Sequence, residues 1–305
     1  MKSNYRYIVK AFMAMAVIAG TTSCDDFLDR EPMSSISPET YYSTAAQLEA
    51  NLNDEYPNVL PSFGQWTYGI FGEDKGTDNQ IEVNANDRYT QDRWKVPHSE
   101  SDNWKFERIY RINFFLSEAL PKFGEDMSGS QNTISGSVAT IKHYIGEMYF
   151  LRAYEYFKKL QLFGDFPIIN QPLADEMEAL REASKRFPRN EVARFIISDL
   201  DKAYAYMSDV DMATTRINKD AAMLVKSRVA LFEATWLQNF KGTAFVPGGE
   251  GWPGASLHNN YQYPSGNLDN EVKYFLEQAV EASKLVADKY KGNLTENTGV
   301  LQQSA

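Results

Sequence analysis

A chain of 305 residues, 43% hydrophobic and 13% aromatic, is long enough to bury a sizeable core in one large domain or two and too apolar to remain disordered. Its formal net charge of −10 lacks the basic footprint that nucleic acid demands, and it argues against adhesion to an anionic bilayer through a charged patch. The single cysteine, Cys24, excludes an intrachain disulfide and any cysteine-based metal site.

Residues 1–23 carry the marks of an export signal. Lys2, Arg6 and Lys10 form a basic opening without an acid, and residues 11–20, AFMAMAVIAG, form an apolar run too short to span a bilayer as a helix. Thr21, Thr22 and Ser23 then lead to Cys24. This resembles a lipobox, in which the cysteine becomes the lipidated first residue of the mature protein, although Thr21 stands where a large apolar residue is usual. The alternative is an ordinary cleaved signal with an incidental thiol. Several acyl chains on one cysteine would anchor firmly where a single chain holds marginally. Residues 24–40 are polar with two prolines and read as a tether; Ser37 or Thr40 is the expected cap of a helix reaching about Leu60.

Residues 61–103 change character. Glycines, prolines, Asp and Asn interrupt every helical period, and Trp66 and Trp94 stand among them, so a long functional loop is expected rather than disorder. Helix returns over residues 104–120, with Phe106, Ile109, Asn113 and Leu116 on one face and Pro121 and Gly124 as its stop. A Ser/Gly/Asn linker covers residues 126–136.

The longest helical run follows, from about Ser137 to Phe163. Ile141, Ile145, Met148, Tyr156, Leu160 and Phe163 make one apolar face; Tyr144, Leu151, Tyr154 and Phe157 make a second. A helix apolar on two sides belongs between other helices. Gly164 and Pro167 end it. Residues 168–189 read as a connection. Further helices are expected from a cap at Asn190 to about Met207, from Lys219 to Phe240, and from Asp269 to Tyr290, with a Gly/Pro-rich loop at residues 241–267 between the last two. The central helix should pair with 190–207, and 219–240 with 269–290. The class is therefore all-α, in helix-turn-helix pairs of tetratricopeptide-like shape joined by long irregular loops, without the strict repeat consensus.

Within this pattern, FLRAY at 150–154, Tyr156-Phe157 and LFGDFP at 162–167 resemble the signature of the SusD/RagB family of nutrient-binding surface lipoproteins. CDDFLDREP from Cys24, the Phe106/Ile109/Asn113/Leu116 spacing, FIISDLDKA at 195–203 and INKDAAMLVKSRVALFEA at 217–234 are similar to the same family. The resemblance implies a glycan, or other nutrient oligomer, captured for uptake through a SusC-like TonB-dependent outer-membrane transporter. It implies a lipid anchor at Cys24, with Asp25 and Asp26 resembling a signal for export to the cell surface. It further implies that residues 41–305 form the family's N-terminal helical domain, the C-terminal half having no counterpart, so that the chain reads as a truncated or partial member.

No H-E-x-x-H, G-x-S-x-G, P-loop or G-x-G-x-x-G motif is present, and His98, His143 and His258 are scattered; His143 reads as a satisfied helix residue. No enzyme, cofactor or metal site is assigned. Glu73, Asp74 and Asp78 would suit a calcium ion in charge but match no EF-hand spacing. A saccharide offers apolar faces to aromatic rings and hydroxyls to Asp, Asn and Arg. The loop provides both kinds of partner in Trp66, Tyr68, Asp74, Asp78, Asn79, Arg88 and Trp94, which are the expected ligand contacts. Trp252, Tyr261 and Tyr263 make a second, weaker patch; Trp104 reads as core, and Arg152 and Asp165 as structural members of the signature. The competing readings are a helical-repeat interaction scaffold without a small ligand and, less favoured, a secreted glycoside hydrolase.

Overall fold

The computed structural model describes residues 41–61, 103–124, 126–208, 212 and 215–292. The chain divides into two compact units, Met1–Tyr41 and Tyr42–Ala305, and every helix below belongs to the second. Among the described residues the helices are α1 (Ala45–Val59), α2 (Glu107–Phe123), α3 (Val138–Phe163), α4 (Met177–Ala183), α5 (Arg189–Tyr206), α6 (Lys219–Asn239) and α7 (Leu268–Tyr290), with a 3₁₀ turn at Pro253–Ser256. Two isolated bridges, Thr44 with Ser135 and Phe166 with Phe187, are the β pairing present among them. The class is all-α, as the sequence predicts.

The helix ends follow local chemistry, with corrections. α1 starts later than expected: Thr44 accepts from the amide of Gln47, and the Gln47 side chain accepts from the amide of Thr44 at 3.0 Å, a reciprocal cap that the sequence T-A-A-Q provides. The proposed caps Ser37 and Thr40 lie outside the described residues. α2 begins at Glu107, after Trp104, and runs through Pro121 to Phe123. A proline in the last turn forgoes one hydrogen bond, and burial of Phe123 holds that turn in place until Gly124 ends it at a φ of 102°. The connection after α3 contains α4, a seven-residue helix with no buried side chain and so no apolar period to read. Asn190 is not the cap of α5. The helix begins at Arg189, whose amide donates to Asp165 Oδ1 at 2.9 Å, so the cap comes from a residue distant in sequence. Ser137, Asn218 and Asn267 cap α3, α6 and α7.

α3 is the axis of the unit. Buried residues occur all round it, including Ile141, Ile145, Met148, Leu151, Tyr156 and Leu160, because α1, α2 and α5 pack along its sides. Gly146 lets α5 approach: a Cβ there would stand 2.8 Å from the Met207 amide nitrogen and 2.9 Å from the Ala203 carbonyl oxygen. The expected pairs form, α3 with α5 and α6 with α7. The second pair is antiparallel, since Lys289 at the end of α7 meets Asp220 at the start of α6, and Lys241 just beyond α6 meets Asp269 at the start of α7. α5 also packs on α6, so the pairs stack as in a helical-repeat protein.

Arginines paired with fully buried carboxylates fasten the helices. Arg152 of α3 grips Asp199 of α5 through Nε (2.6 Å) and Nη2 (2.8 Å). Its Nη1 donates to Asn113 of α2 (2.9 Å) and to the Asn170 carbonyl (3.1 Å). Arg189 of α5 holds Glu233 of α6, and Arg194 of α5 holds Glu271 of α7. Glu147 of α3 accepts from both ends of the Arg216 guanidinium and from the Tyr56 hydroxyl of α1. Arg111 of α2 pairs with Glu55 of α1. The bidentate Arg152–Asp199, Arg189–Glu233 and Arg194–Glu271 pairs each fix the rotation of one helix against its neighbour, because the fork geometry tolerates little slippage.

Candidate functional site

The signature residues build a turn. Tyr156, fully buried, donates from its hydroxyl to the Ile169 carbonyl (3.1 Å) and accepts from the Ile169 amide (2.8 Å), tying the segment beyond Pro167 back to α3. Asn113 donates to the same carbonyl at 2.9 Å. Phe166 is buried among Trp104, Phe106, Tyr156 and Phe163 and exchanges both backbone hydrogen bonds with Phe187. Gly164 takes a φ of 68° and a ψ of −103°, which an L side chain rarely adopts. Asp165 accepts from the Arg189 amide through Oδ1 and from the Trp252 indole through Oδ2 at 2.7 Å. Burial raises its pKa above the usual aspartate value, against the lowering effect of those donors and of Arg189 and Arg186. Arg152 is 3% exposed and Asp165 is half-buried with both oxygens engaged, which fits the structural role expected of each.

This turn forms one wall of an open cleft of about 760 Å³. Leu162 and Gly164 line it from the end of α3, Arg186 and Arg189 from the segment entering α5, Trp236 from α6, and Phe245, Trp252 and Leu257 from the loop between α6 and α7. The loop is held to the helix by the Trp236 indole, which donates to the Phe245 carbonyl at 3.1 Å. Phe245 and Leu257 are 61% and 54% exposed, so apolar surface faces solvent here. Behind this wall Trp252 lies near-parallel to His258 at 6.0 Å, and His258 Nε2 bonds the Arg186 carbonyl at 2.7 Å.

Of the weaker aromatic patch expected from sequence, one residue of the three lines the cleft. Trp252 reaches the cleft, although only 5% exposed. Tyr261 points inward and shares hydrogen bonds with the Asn190 side chain, and Tyr263 bonds the Pro247 carbonyl; burial first of all raises the pKa of both phenols. Trp104, expected in the core, is half-buried, with the Arg186 guanidinium over its ring at 4.6 Å. His143 is satisfied: the Ser208 amide donates to Nδ1, leaving Nε2 to face the Ile217 carbonyl at 3.0 Å and Glu147. The favoured ligand residues Trp66, Tyr68, Asp74, Asp78, Asn79, Arg88 and Trp94, the acidic group with Glu73, and the lipidation residue Cys24 all lie outside the described residues. Sequence reasoning did not find Arg186, Trp236 or Phe245. They come from three separate stretches, and the available signal was Phe245 in a Gly-rich loop after a helix with Trp236 in its last turn.

The described helices thus stack as a repeat scaffold beside a cleft lined by aromatic residues of α6 and of the loop that follows it. Residues 26–231 match the family described as starch-binding associating with outer membrane, and the chain belongs to this SusD-like family. It is 25% identical over 233 residues to SusD-like protein P25 of Formosa agariphila, covering 70% of this chain and 41% of that protein. It is likewise 25% identical over 253 residues to SusD-like protein P2 of the same organism, covering 79% and 46%. The chain therefore spans less than half the length of these relatives. A SusD-like protein of Bacteroides fragilis, known from its crystal structure, is similar with a TM-score of 0.48 and 21% identity, covering 70% of this chain and 39% of that one.

Proposed function

We propose that this chain is the saccharide-binding part of a surface-exposed outer-membrane lipoprotein, which captures a glycan or other nutrient oligomer and passes it to a TonB-dependent transporter without cleaving it. The observation that carries the reading is the open cleft walled by Trp236, Phe245 and Trp252 beside the family signature, in a chain whose family is described as starch-binding. Aromatic rings give a sugar face a large apolar platform at little conformational cost. Trp66, Tyr68, Asp74, Asp78, Asn79, Arg88 and Trp94 extend the binding surface in this proposal, and acylation of Cys24 anchors the protein.

Affinity electrophoresis of the protein through gels carrying a panel of polysaccharides tests the reading. Retardation by at least one glycan is expected, weakened in Trp66→Ala and Trp94→Ala. No retardation by any glycan would favour a scaffold without a small ligand, and release of reducing sugar would favour a hydrolase. For the anchor, Cys24→Ala is expected to move the protein from the membrane to the soluble fraction; a variant that stays membrane-bound contradicts it.

A further inference from the structure

Among the described residues, the charged groups that line the cleft are Arg186, Arg189 and Asp165. Arg189 has a side chain only 4% exposed; its Nε and Nη2 are spent on Glu233 at 3.0 and 2.9 Å, and its face lies on the Trp236 ring at 4.1 Å. Its Nη1 makes no hydrogen bond to a described residue and points to Gly164, 3.4 Å from where a Cβ would stand on that cleft-lining glycine. A Cβ there would meet this nitrogen in ordinary van der Waals contact. Arg186 lines the same cleft and makes no close ion pair among the described residues, although its charge acts on Asp165. Arg186 is exposed, and its guanidinium lies over the Trp104 ring at 4.6 Å. The nearby carboxylates are not offered in the same way. Glu233 is 0% exposed and bound by Arg189, and Asp165 has each oxygen engaged by a protein donor.

We infer that this cleft selects an anionic saccharide, its ring against Trp236 and Phe245 and its carboxylate or sulfate group on Arg186 and Arg189 Nη1. The inference rests on the glycan-binding reading and adds the charge of the ligand. A planar donor fork suits carboxylate and sulfate oxygens alike, and a charge-assisted hydrogen bond discriminates more sharply than one to a neutral hydroxyl.

Isothermal titration of the full chain with three galactose-based oligosaccharides of matched length tests it: an oligogalacturonate, a sulfated galacto-oligosaccharide and the neutral parent. One anionic ligand, or both, should bind about tenfold more tightly than the neutral one, the worth of one charge-assisted bond. Arg186→Gln should weaken that anionic ligand about tenfold and the neutral one less than about twofold, and Phe245→Ala should weaken both. Both replacements lie at the rim, so neither disturbs the core. Uronate preference identifies the carboxylate as the recognised group, and preference for the sulfated ligand identifies sulfate. Neutral and anionic ligands binding equally, or an anionic affinity unmoved by Arg186→Gln, would overturn the inference and leave the glycan-binding reading standing. Binding of none of the three, together with no retardation by any polysaccharide, would overturn both.

Discussion

Replacing Arg152 by alanine should destabilise the protein severely while leaving the cleft chemistry untouched. The guanidinium makes two hydrogen bonds to Asp199, one to Asn113 and one to the Asn170 carbonyl, and the Tyr149 and Phe195 rings lie 5.3 Å from its centre. Its removal leaves Asp199 at 0% exposure, with Lys202 at 4.0 Å as the nearest remaining cation. Stranding one member of a buried pair costs about 3–5 kcal/mol. At roughly 2–4 °C per kcal/mol for a domain of this size, the melting temperature should fall by about 6–20 °C. Urea unfolding followed by far-ultraviolet circular dichroism gives the free energy, and a thermal scan gives the shift. The double variant Arg152→Met/Asp199→Leu removes both charges and should recover to within about 2 kcal/mol of the parent. A loss below about 1 kcal/mol for Arg152→Ala, or a double variant no better than the single one, would refute the argument that this pair locks α3 to α5.

Gly146→Ala drives a methyl group into the backbone of α5 and should cost about 1–3 kcal/mol in the same unfolding assay, since neither the Met207 amide nor the Ala203 carbonyl can yield. Gly164→Ala forces a side chain into a positive-φ position and should cost about 1–3 kcal/mol. Glu271 gives a pH signature. Burial pushes its pKa up, but hydrogen bonds from Arg194, Asn190 and Ser265 together outweigh burial and hold it below the ordinary 4.5. A depressed carboxylate stabilises the fold fully above its unfolded pKa, and that contribution is lost as the pH falls through the lower folded value. The melting-temperature gap between parent and Glu271→Gln should therefore be wide at neutral pH and close below pH 4.5; a gap constant through that range contradicts the assignment.

The helices and their pairing were legible because α3 carries an apolar period on two faces between a serine cap and a Gly-Asp-Phe-Pro stop, signals that act within a few residues. What was not legible depends on distance in sequence. The cap of α5 is Asp165, on the far side of α4, so Asn190 looked like the nearest capping residue; in the fold its side chain is buried against Tyr261 and Glu271. Pro121 looked like a stop because its neighbours in sequence do not reveal that Phe123 is buried. Arg152 reads as a structural member of the signature, but its partner Asp199 is named only by the α3–α5 packing. The cleft is the extreme case, since α3, the entry to α5, α6 and the loop before α7 each supply part of it. Its aromatic loop residue Trp252 was recognisable as a binding candidate, but Arg186 and Arg189 lay in a stretch that reads only as a connection.

The central claim is that the family signature is scaffold and the neighbouring aromatic cleft is where saccharide binds. Titrating one bound polysaccharide against the parent, Phe245→Ala and Arg152→Met/Asp199→Leu tests it most directly. The account predicts at least about tenfold weaker binding for Phe245→Ala and affinity within about twofold of the parent for the signature variant. Full affinity in Phe245→Ala, with binding lost in a folded Arg152→Met/Asp199→Leu protein, would contradict it.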